Sequence, residues 1–396
     1  MAVDVERDAA PGIDEMMERA RTVAAELAGR ARETEELRRV PDASIAALDE
    51  AGLFAMFSPP SVGGMGFGFH DFAQVVRVLA QGCASTAWVY GFLVGHNVAI
   101  VQNTPHLLGG AAFVAAGASA GVQGNPAVTA RPVEGGWRVT GTWKFVSGIM
   151  NSEHVLLVTL QDNGDEDPSV LGLVADVSAG AVDDVWHFAG MKGTGSNTFR
   201  LDGAFVPSDR EWGVWGLPEL HPAVADSKMN VSIVRLFDVV LTAVAVGAAE
   251  AALEQFRARV LTRSIGYGQG PQREHREAWS RYADAVLRVR VTRLLWDDLV
   301  ALADRAARSG EKNSVEEGAL FRIGAPRVCT LARDALHVIA DGSGSSVWHL
   351  DDPLQRQIRD VETLKSHSNL HWDAASVGAG SALLGVADPV DPLVVG

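Results

Sequence analysis

The chain is poor in the residues that mark secreted or nucleic-acid-binding proteins. Its 396 residues include two cysteines, Cys83 and Cys329, each in an apolar, helical-looking stretch. Two thiols cannot build a disulfide framework, so cysteine usage implies no oxidising compartment. Basic residues are scarce too: 34 Lys and Arg stand against 49 Asp and Glu, a net charge of −15. That balance supplies no patch for phosphate neutralisation and no attraction to an anionic membrane surface. The opening MAVDVERDAAPG is acidic and lacks the basic and apolar regions of a signal peptide. The longest apolar run, 239–253, is interrupted by Glu250 and reads as too short to span a bilayer. A cytoplasmic enzyme is the expectation.

Nucleotide loops are missing as well. The turn Gly190-Met191-Lys192-Gly193-Thr194-Gly195-Ser196 lacks the Gly-Lys-Ser/Thr ending of a P-loop. The glycines of GGMGFG at 63–68 follow no strand and have the wrong spacing for a dinucleotide fingerprint. His367 and His371 are spaced for one helix face, but no carboxylate or cysteine stands at companion spacing, so no metal is expected. No internal repeat is visible.

What is present is an ordinary globular composition, 47% hydrophobic and 21% charged, long enough for two or three packed layers. Residues 1–115 read as helical. Ile13, Met16, Met17, Ala20, Val23, Ala24 and Leu27 recur at three and four. Asp42 and Asp71 look like N-caps, Gly52 like a C-terminal stop. Residues 116–215 read as a β domain, with period-two alternation over 137–147 and further strands at 154–160, 170–177 and 197–206. From 216 to 396 helices return: 232–256 is apolar nearly all round, 272–308 is amphipathic, 320–339 follows, and a His367 helix completes four.

Four stretches carry chemistry. Asp352-Pro353 opens a segment with Arg359-Asp360, and His367 stands eight residues past Arg359. Gly141-Thr142-Trp143-Lys144-Phe145-Val146-Ser147-Gly148 ends the first long strand. The Gly190–Ser196 turn precedes a strand ending Phe205-Val206-Pro207, and Arg263 sits before Gly266 and Gly268, with Asp341-Gly342-Ser343-Gly344 further on. Together with the helix–sheet–helix order, these resemble the acyl-CoA dehydrogenase superfamily over nearly the whole chain, and specifically its two-component flavin-dependent monooxygenases (group D). The fold implied is α+β: an N-terminal helical domain, a central β domain and a C-terminal four-helix bundle.

The resemblance implies roles. Ser147 would place a hydroxyl near flavin N5, and Trp143 would flank the isoalloxazine; a hydroxyl accepts from the N5–H of a reduced flavin, and an indole is a flat apolar wall. Arg263 would reach the flavin phosphates across a subunit boundary, Gly342 would let backbone approach the cofactor, and Arg359 and Asp360 would run beside it. His367 and His96 would be the active-site histidines, with Trp88, Phe92, Asn125, His371 and Trp372 around an aromatic substrate. Reduced FAD (or FMN) would come from a separate NAD(P)H:flavin reductase, since the chain has no nicotinamide-binding unit. Oxygen would add at flavin C4a to give a hydroperoxide that hydroxylates a phenol- or indole-like substrate, in a homotetramer. The runner-up is an acyl-CoA dehydrogenase. Relatives of that kind carry a glutamate nine residues past the Arg, where this chain has Ser368, and Asp238 is a short, out-of-register substitute. The third reading is a flavin-less scaffold protein.

Overall fold

The structure, a computed structural model, describes residues 11–386 apart from 108–114, 119–127, 163, 165–168, 213–223, 225–227, 229–231, 267 and 312. Four helices open it: α1 (Ile13–Leu37), α2 (Asp42–Glu50), α3 (Phe69–Gly82) and α4 (Ala84–Asn103). The three-and-four stripe of α1 faces inward through Met16, Ala20, Val23, Ala24, Leu27 and Ala31. Neither aspartate is an N-cap. Pro41 caps α2, and Asp42, its first residue, pairs with Arg39. Gly68 caps α3, and Asp71 reaches back from the third position to the Gly68 N–H at 3.2 Å.

The strands are β1 (Ala115–Ala118), β2 (Thr129–Val133), β3 (Gly136–Val146), β4 (His154–Gln161), β5 (Ser169–Asp176), β6 (Ala181–Asp183), β7 (Asn197–Pro207) and β8 (Glu211–Trp212). They form one sheet in the order β6-β7-β3-β2-β4-β5-β8, with β1 parallel to β4. β3 falls on the alternating stretch 137–147, and β4, β5 and β7 on the three further strand candidates. β3 pairs with β7 along almost its whole length, so its last residues lie beside the Gly190–Ser196 turn that leads into β7.

The helical part that follows holds α5 (Ile233–Thr262), a short hairpin of β9 (Ser264–Ile265) and β10 (Gly270–Pro271), α6 (Arg276–Ser309) and α7 (Val315–Ser343). The central helix is α5, buried continuously from Asp238 to Ala249. A Cβ on its Gly247 would lie 2.2 Å from the Arg77 carbonyl, so the glycine is what lets α3 cross α5 this closely. Glu250, which breaks the apolar run, accepts from Arg77, from Arg293 at 3.1 Å and from Gln81 at 2.8 Å. Both α4 and α5 prove long and apolar enough to cross a membrane, contrary to the estimate from 239–253 alone. Their apolar windows are 100% and 78% buried inside the fold, as core helices are.

The fourth helix of the bundle is broken. α8 (Pro353–Leu364) stops, a 3₁₀ turn covers Ser368–Leu370, and α9 (Trp372–Leu383) begins anew. His367 and His371 therefore do not share a helix face. Each is an N-cap: ring Nδ1 of His367 accepts from the Asn369 N–H at 3.3 Å, and that of His371 from Ala374 at 3.5 Å. The run Ser366-His367-Ser368-Asn369 offers side-chain partners that compete with helical hydrogen bonds, which periodicity cannot register.

Candidate active site

Residues spaced by four on a helix line up, and α4 carries Trp88, Phe92 and His96 on one line. Trp88 and Phe92 stack with centroids 4.9 Å apart, and Phe92 stacks on Phe237 of α5 at 4.7 Å. His96 meets Phe237 edge-on at 4.8 Å and Phe92 at 5.7 Å. From the turn after α8, His367 packs its ring edge against Trp88 at 5.6 Å and lies 6.4 Å from Phe92. Four expected residues from two distant segments thus converge on one apolar ring cluster, joined by Phe237, which is the candidate substrate chamber. Phe237 was missed because it lies in a run apolar nearly all round, where no periodicity singles it out.

The chamber is closed at one edge by hydroxyls. Ser147 Oγ accepts from the Trp88 indole N–H at 3.0 Å and lies 2.8 Å from Ser196 Oγ. Ser196 is 2.8 Å from Thr194 Oγ1, which donates to the Met191 carbonyl at 2.8 Å. This joins the end of β3 to the glycine turn, two stretches that resemblance marked separately.

Electrostatically the chamber is quiet. Burial alone pushes the His367 imidazole down to about 4, since no carboxylate among the described residues compensates the charged form. Asp238, the substitute base weighed above, is 2% exposed. Burial raises its carboxyl to about 7 against the pull of Arg322, the Asn369 side chain and Arg235. Those neighbours tie it to the Ser368–Leu370 turn, where Arg322 also donates to the Asn369 carbonyl at 2.7 Å. Ser368 itself is exposed.

Several expected residues sit elsewhere. Trp143 does not flank a cofactor: it is 0% exposed in the interior of the β domain, its indole donating to the Val158 carbonyl at 2.9 Å. The ring that emerges is Phe145, 58% exposed with φ 61°. The β3–β7 register shifts between Trp143 and Val146, and this bulge turns Phe145 outward beside Trp186, which stacks on Phe188 at 3.8 Å. A left-handed conformation is unusual for a bulky residue and occurs where something specific demands it. His371 is exposed and caps α9, and Trp372 lies under Arg327 at 4.3 Å, so neither lines the chamber. Asn125 lies outside the described residues.

Arg359 and Asp360 are mostly spent on the protein. Asp360 accepts from the Met191 N–H at 2.5 Å, and Arg359 donates to the Ala189 carbonyl at 2.5 Å and pairs with Glu35 at 2.6 Å. A Cβ on Gly190 would lie 2.0 Å from the Arg359 carbonyl, so α8 rests directly on the glycine turn. Arg359 keeps a buried Nη2 without a partner among the described residues. Glu35 also pairs with Arg356 at 3.0 Å and Lys192 at 3.2 Å. Burial works to raise its carboxyl, yet Arg359, Arg356 and Lys192 hold it at about 2. The open groove of about 430 Å³ beside this junction, between Arg32, Arg38, His187 and Phe188, belongs to it and not to the chamber.

Arg263, the C-cap of α5, bends onto the Ser343 carbonyl, and a Cβ on Gly344 would strike its guanidinium at 2.4 Å. Gly342 serves packing: a Cβ there would lie 2.4 Å from Phe256, and its carbonyl accepts from Gln272 at 2.7 Å. A flavin is a flat ring system with a polar edge and a phosphate tail. Exposed Phe145 and Phe188, the Ser147 hydroxyl, Arg263 and the spare Nη2 of Arg359 fit such a group in kind: ring wall, edge partner and phosphate-binding guanidinium groups.

The comparisons with known proteins agree. The profile described as Acyl-CoA dehydrogenase, N-terminal domain, matches residues 13–104, and that described as Acyl-CoA dehydrogenase, C-terminal domain, matches 239–372. The chain is 28% identical to the oxygenase component of an FADH(2)-dependent resorcinol hydroxylase from Rhizobium sp. (strain MTP-10005), over 90% of each chain. It is 28% identical to a pigment production hydroxylase from Rhodococcus sp. (strain ATCC 21145), over 95% of this chain and 98% of the relative. XiaF from Streptomyces sp., solved in complex with FADH2 and glycerol, superimposes with a TM-score of 0.85 at 25% identity, covering 96% of both chains.

Proposed function

Because the chain belongs to the acyl-CoA dehydrogenase superfamily, in its branch of two-component flavin-dependent monooxygenases, we propose that it is an oxygenase component that hydroxylates a neutral, flat aromatic of the phenol or indole kind. The observation that carries the substrate class is the chamber itself. Trp88, Phe92 and Phe237 supply apolar walls, its polar groups are the imidazoles of His96 and His367 and the hydroxyl edge at Ser147, and none of the described residues in these contacts is a carboxylate that could receive a cation. A resorcinol-hydroxylating relative fits that chemistry.

Reduced flavin, taken as FAD and delivered by a separate reductase, supplies the electrons that activate oxygen. The chain's own residues exclude water, orient and hold protons. Ser147 would meet the flavin edge with an oxygen already fixed by Trp88. His367 is neutral, and its Nδ1 accepts from Asn369, so its single proton sits on Nε2. It acts in the chamber as a hydrogen-bond donor that orients the reacting oxygen; an imidazole held near 4 is a poor general base. His96 is left to take the proton of a phenol or indole.

Assembly as a homotetramer is part of the reading. The α6 surface exposes Val286, Leu287, Val291 and Leu294, and α9 exposes Val377 and Leu383. Apolar faces of this kind seek partners, and Arg263 stands at an element end where a second copy can use it. Sedimentation as a monomer that binds flavin with full affinity would remove this part.

The functional test supplies chemically reduced FAD, oxygen and a panel of phenols and indoles, and follows product and hydrogen peroxide together. Oxygen incorporated into at least one aromatic is expected. Peroxide alone with every substrate, together with anaerobic bleaching of oxidised flavin by an acyl-CoA, would turn the assignment to a dehydrogenase.

A further inference from the structure

The hydroxyls under the chamber admit one proton order. A carbonyl can only accept, so Thr194 Oγ1 spends its hydrogen on Met191. A hydroxyl has a single hydrogen, and Thr194 must therefore be the acceptor in its 2.8 Å contact with Ser196. Ser196, having donated to Thr194, must accept from Ser147, 2.8 Å away. Ser147 meanwhile accepts from the Trp88 N–H. Its oxygen is left with one free lone pair and no hydrogen to give. Ser147, Ser196 and Thr194 are 6%, 4% and 2% exposed, so bulk water is kept from reordering the chain.

We propose that this order makes Ser147 an obligate acceptor, and that Thr194 and Ser196 thereby select the redox state of the flavin the protein holds. N5 of reduced flavin carries a hydrogen and can donate to Ser147. N5 of oxidised flavin is itself a lone pair and would face another one. The proposal rests on the reading of Ser147 as the neighbour of N5. Thr194 and Ser196 are positioning residues: they act only by fixing the direction of the Ser147 hydroxyl. A site ordered in this way takes in reduced flavin and lets go of the oxidised form, which suits a protein supplied by diffusion from a reductase.

The test is a binding measurement that needs no substrate: dissociation constants for oxidised FAD and, anaerobically, for dithionite-reduced FAD. The wild-type protein is expected to prefer the reduced form by about tenfold, the scale of one buried hydrogen bond. Ser196→Ala deprives the Ser147 hydrogen of its acceptor, and Thr194→Val lets Ser196 donate back to Ser147. Either change frees Ser147 to donate to oxidised N5. Both should tighten oxidised FAD and cut the preference to about twofold or less, leaving reduced FAD within about twofold of wild type. Ser147→Ala should erase the preference the other way, by weakening reduced FAD alone. Retention of the wild-type ratio in folded Ser196→Ala and Thr194→Val proteins overturns the proposal while leaving the functional reading intact. Failure of the wild-type protein to bind either form removes the functional reading, and the proposal with it.

Discussion

Glu35 and His367 are both held well below their ordinary pKa, and the causes are opposite. Around Glu35 three cations from the glycine turn and α8 overcome a burial that works against ionisation. Around His367 burial among rings acts with nothing to offset it. The first group is charged and paired, and its shift is stability gained above the normal carboxylate range. The second is neutral because charging it is costly, and its shift is stability lost once the pH falls below that of a free imidazole. The same direction of shift therefore marks a clamp in one place and a retained chemical group in the other. Only the cause tells them apart.

The comparison can be broken by removing each group in turn. The largest effect is expected for Glu35→Gln, which leaves Arg356, Arg359 and Lys192 half-buried without their shared counter-ion. It should cost about 3–5 kcal/mol of unfolding free energy, read from urea midpoints. Little change there would mean that the junction is ornamental. His367→Ala should cost little stability at neutral pH but lower hydroxylated product about 100-fold, the scale of a lost preorganised donor. Oxygen uptake should persist and end as peroxide. Full product yield would pass the role to His96.

Acid titration sharpens the contrast. His367 has a folded pKa of about 4 against 6.5, so the unfolded chain binds the extra proton and stability falls as pH drops from about 6.5 to 4. The loss is roughly 3 kcal/mol at most. Glu35 has a folded pKa of about 2 against 4.5, so its contribution persists to about 4.5 and is lost below. Asp238, at about 7, and Asp360, at about 6, act with the reverse sign across the upper window. Each group is thus read from the difference between wild type and variant: His367→Gln should flatten the melting curve only above pH 4, Glu35→Gln only below 4.5. Differences that coincide beyond the shared stretch between about 4 and 4.5 would show the two regions to be one. The smallest effect is expected for Trp88→Phe, which removes one neutral hydrogen bond to Ser147, about 1 kcal/mol. Affinity for reduced FAD should fall about fivefold, with the melting temperature little changed.

Much of this architecture was legible because it rests on local period. β3 announces itself by alternation, the other long strands as apolar runs between turn residues, and Trp88, Phe92 and His96 by fours on α4. What failed involved interruptions. Trp143 and Phe145 share one strand, and alternation alone places them on the same face; a bulge between them, invisible in composition, sends one inward and the other out. The Ser366–Asn369 run continues the helical pattern in sequence, and its capping partners are side chains that periodicity does not register. Arg359 and Asp360 were assigned to a cofactor by resemblance, while their partners, Glu35 and the Met191 N–H, lie more than 150 residues away in sequence. The convergence of His367 with α4 was likewise legible only through resemblance.

The break between α8 and α9 bears on how such a site can change over time. An extra residue inside a continuous helix rotates everything beyond it by about 100°, so a histidine carried there would swing out of the chamber with any insertion. His367 stands instead on a turn whose two ends are fastened separately, by α8 lying on Gly190 and by the His371 cap of α9. Length changes in that turn are absorbed between fixed anchors. The reach of the imidazole can then be retuned to larger or smaller aromatics without disturbing the bundle, and loop-length libraries at 365–371 are the natural place to look for altered substrate range.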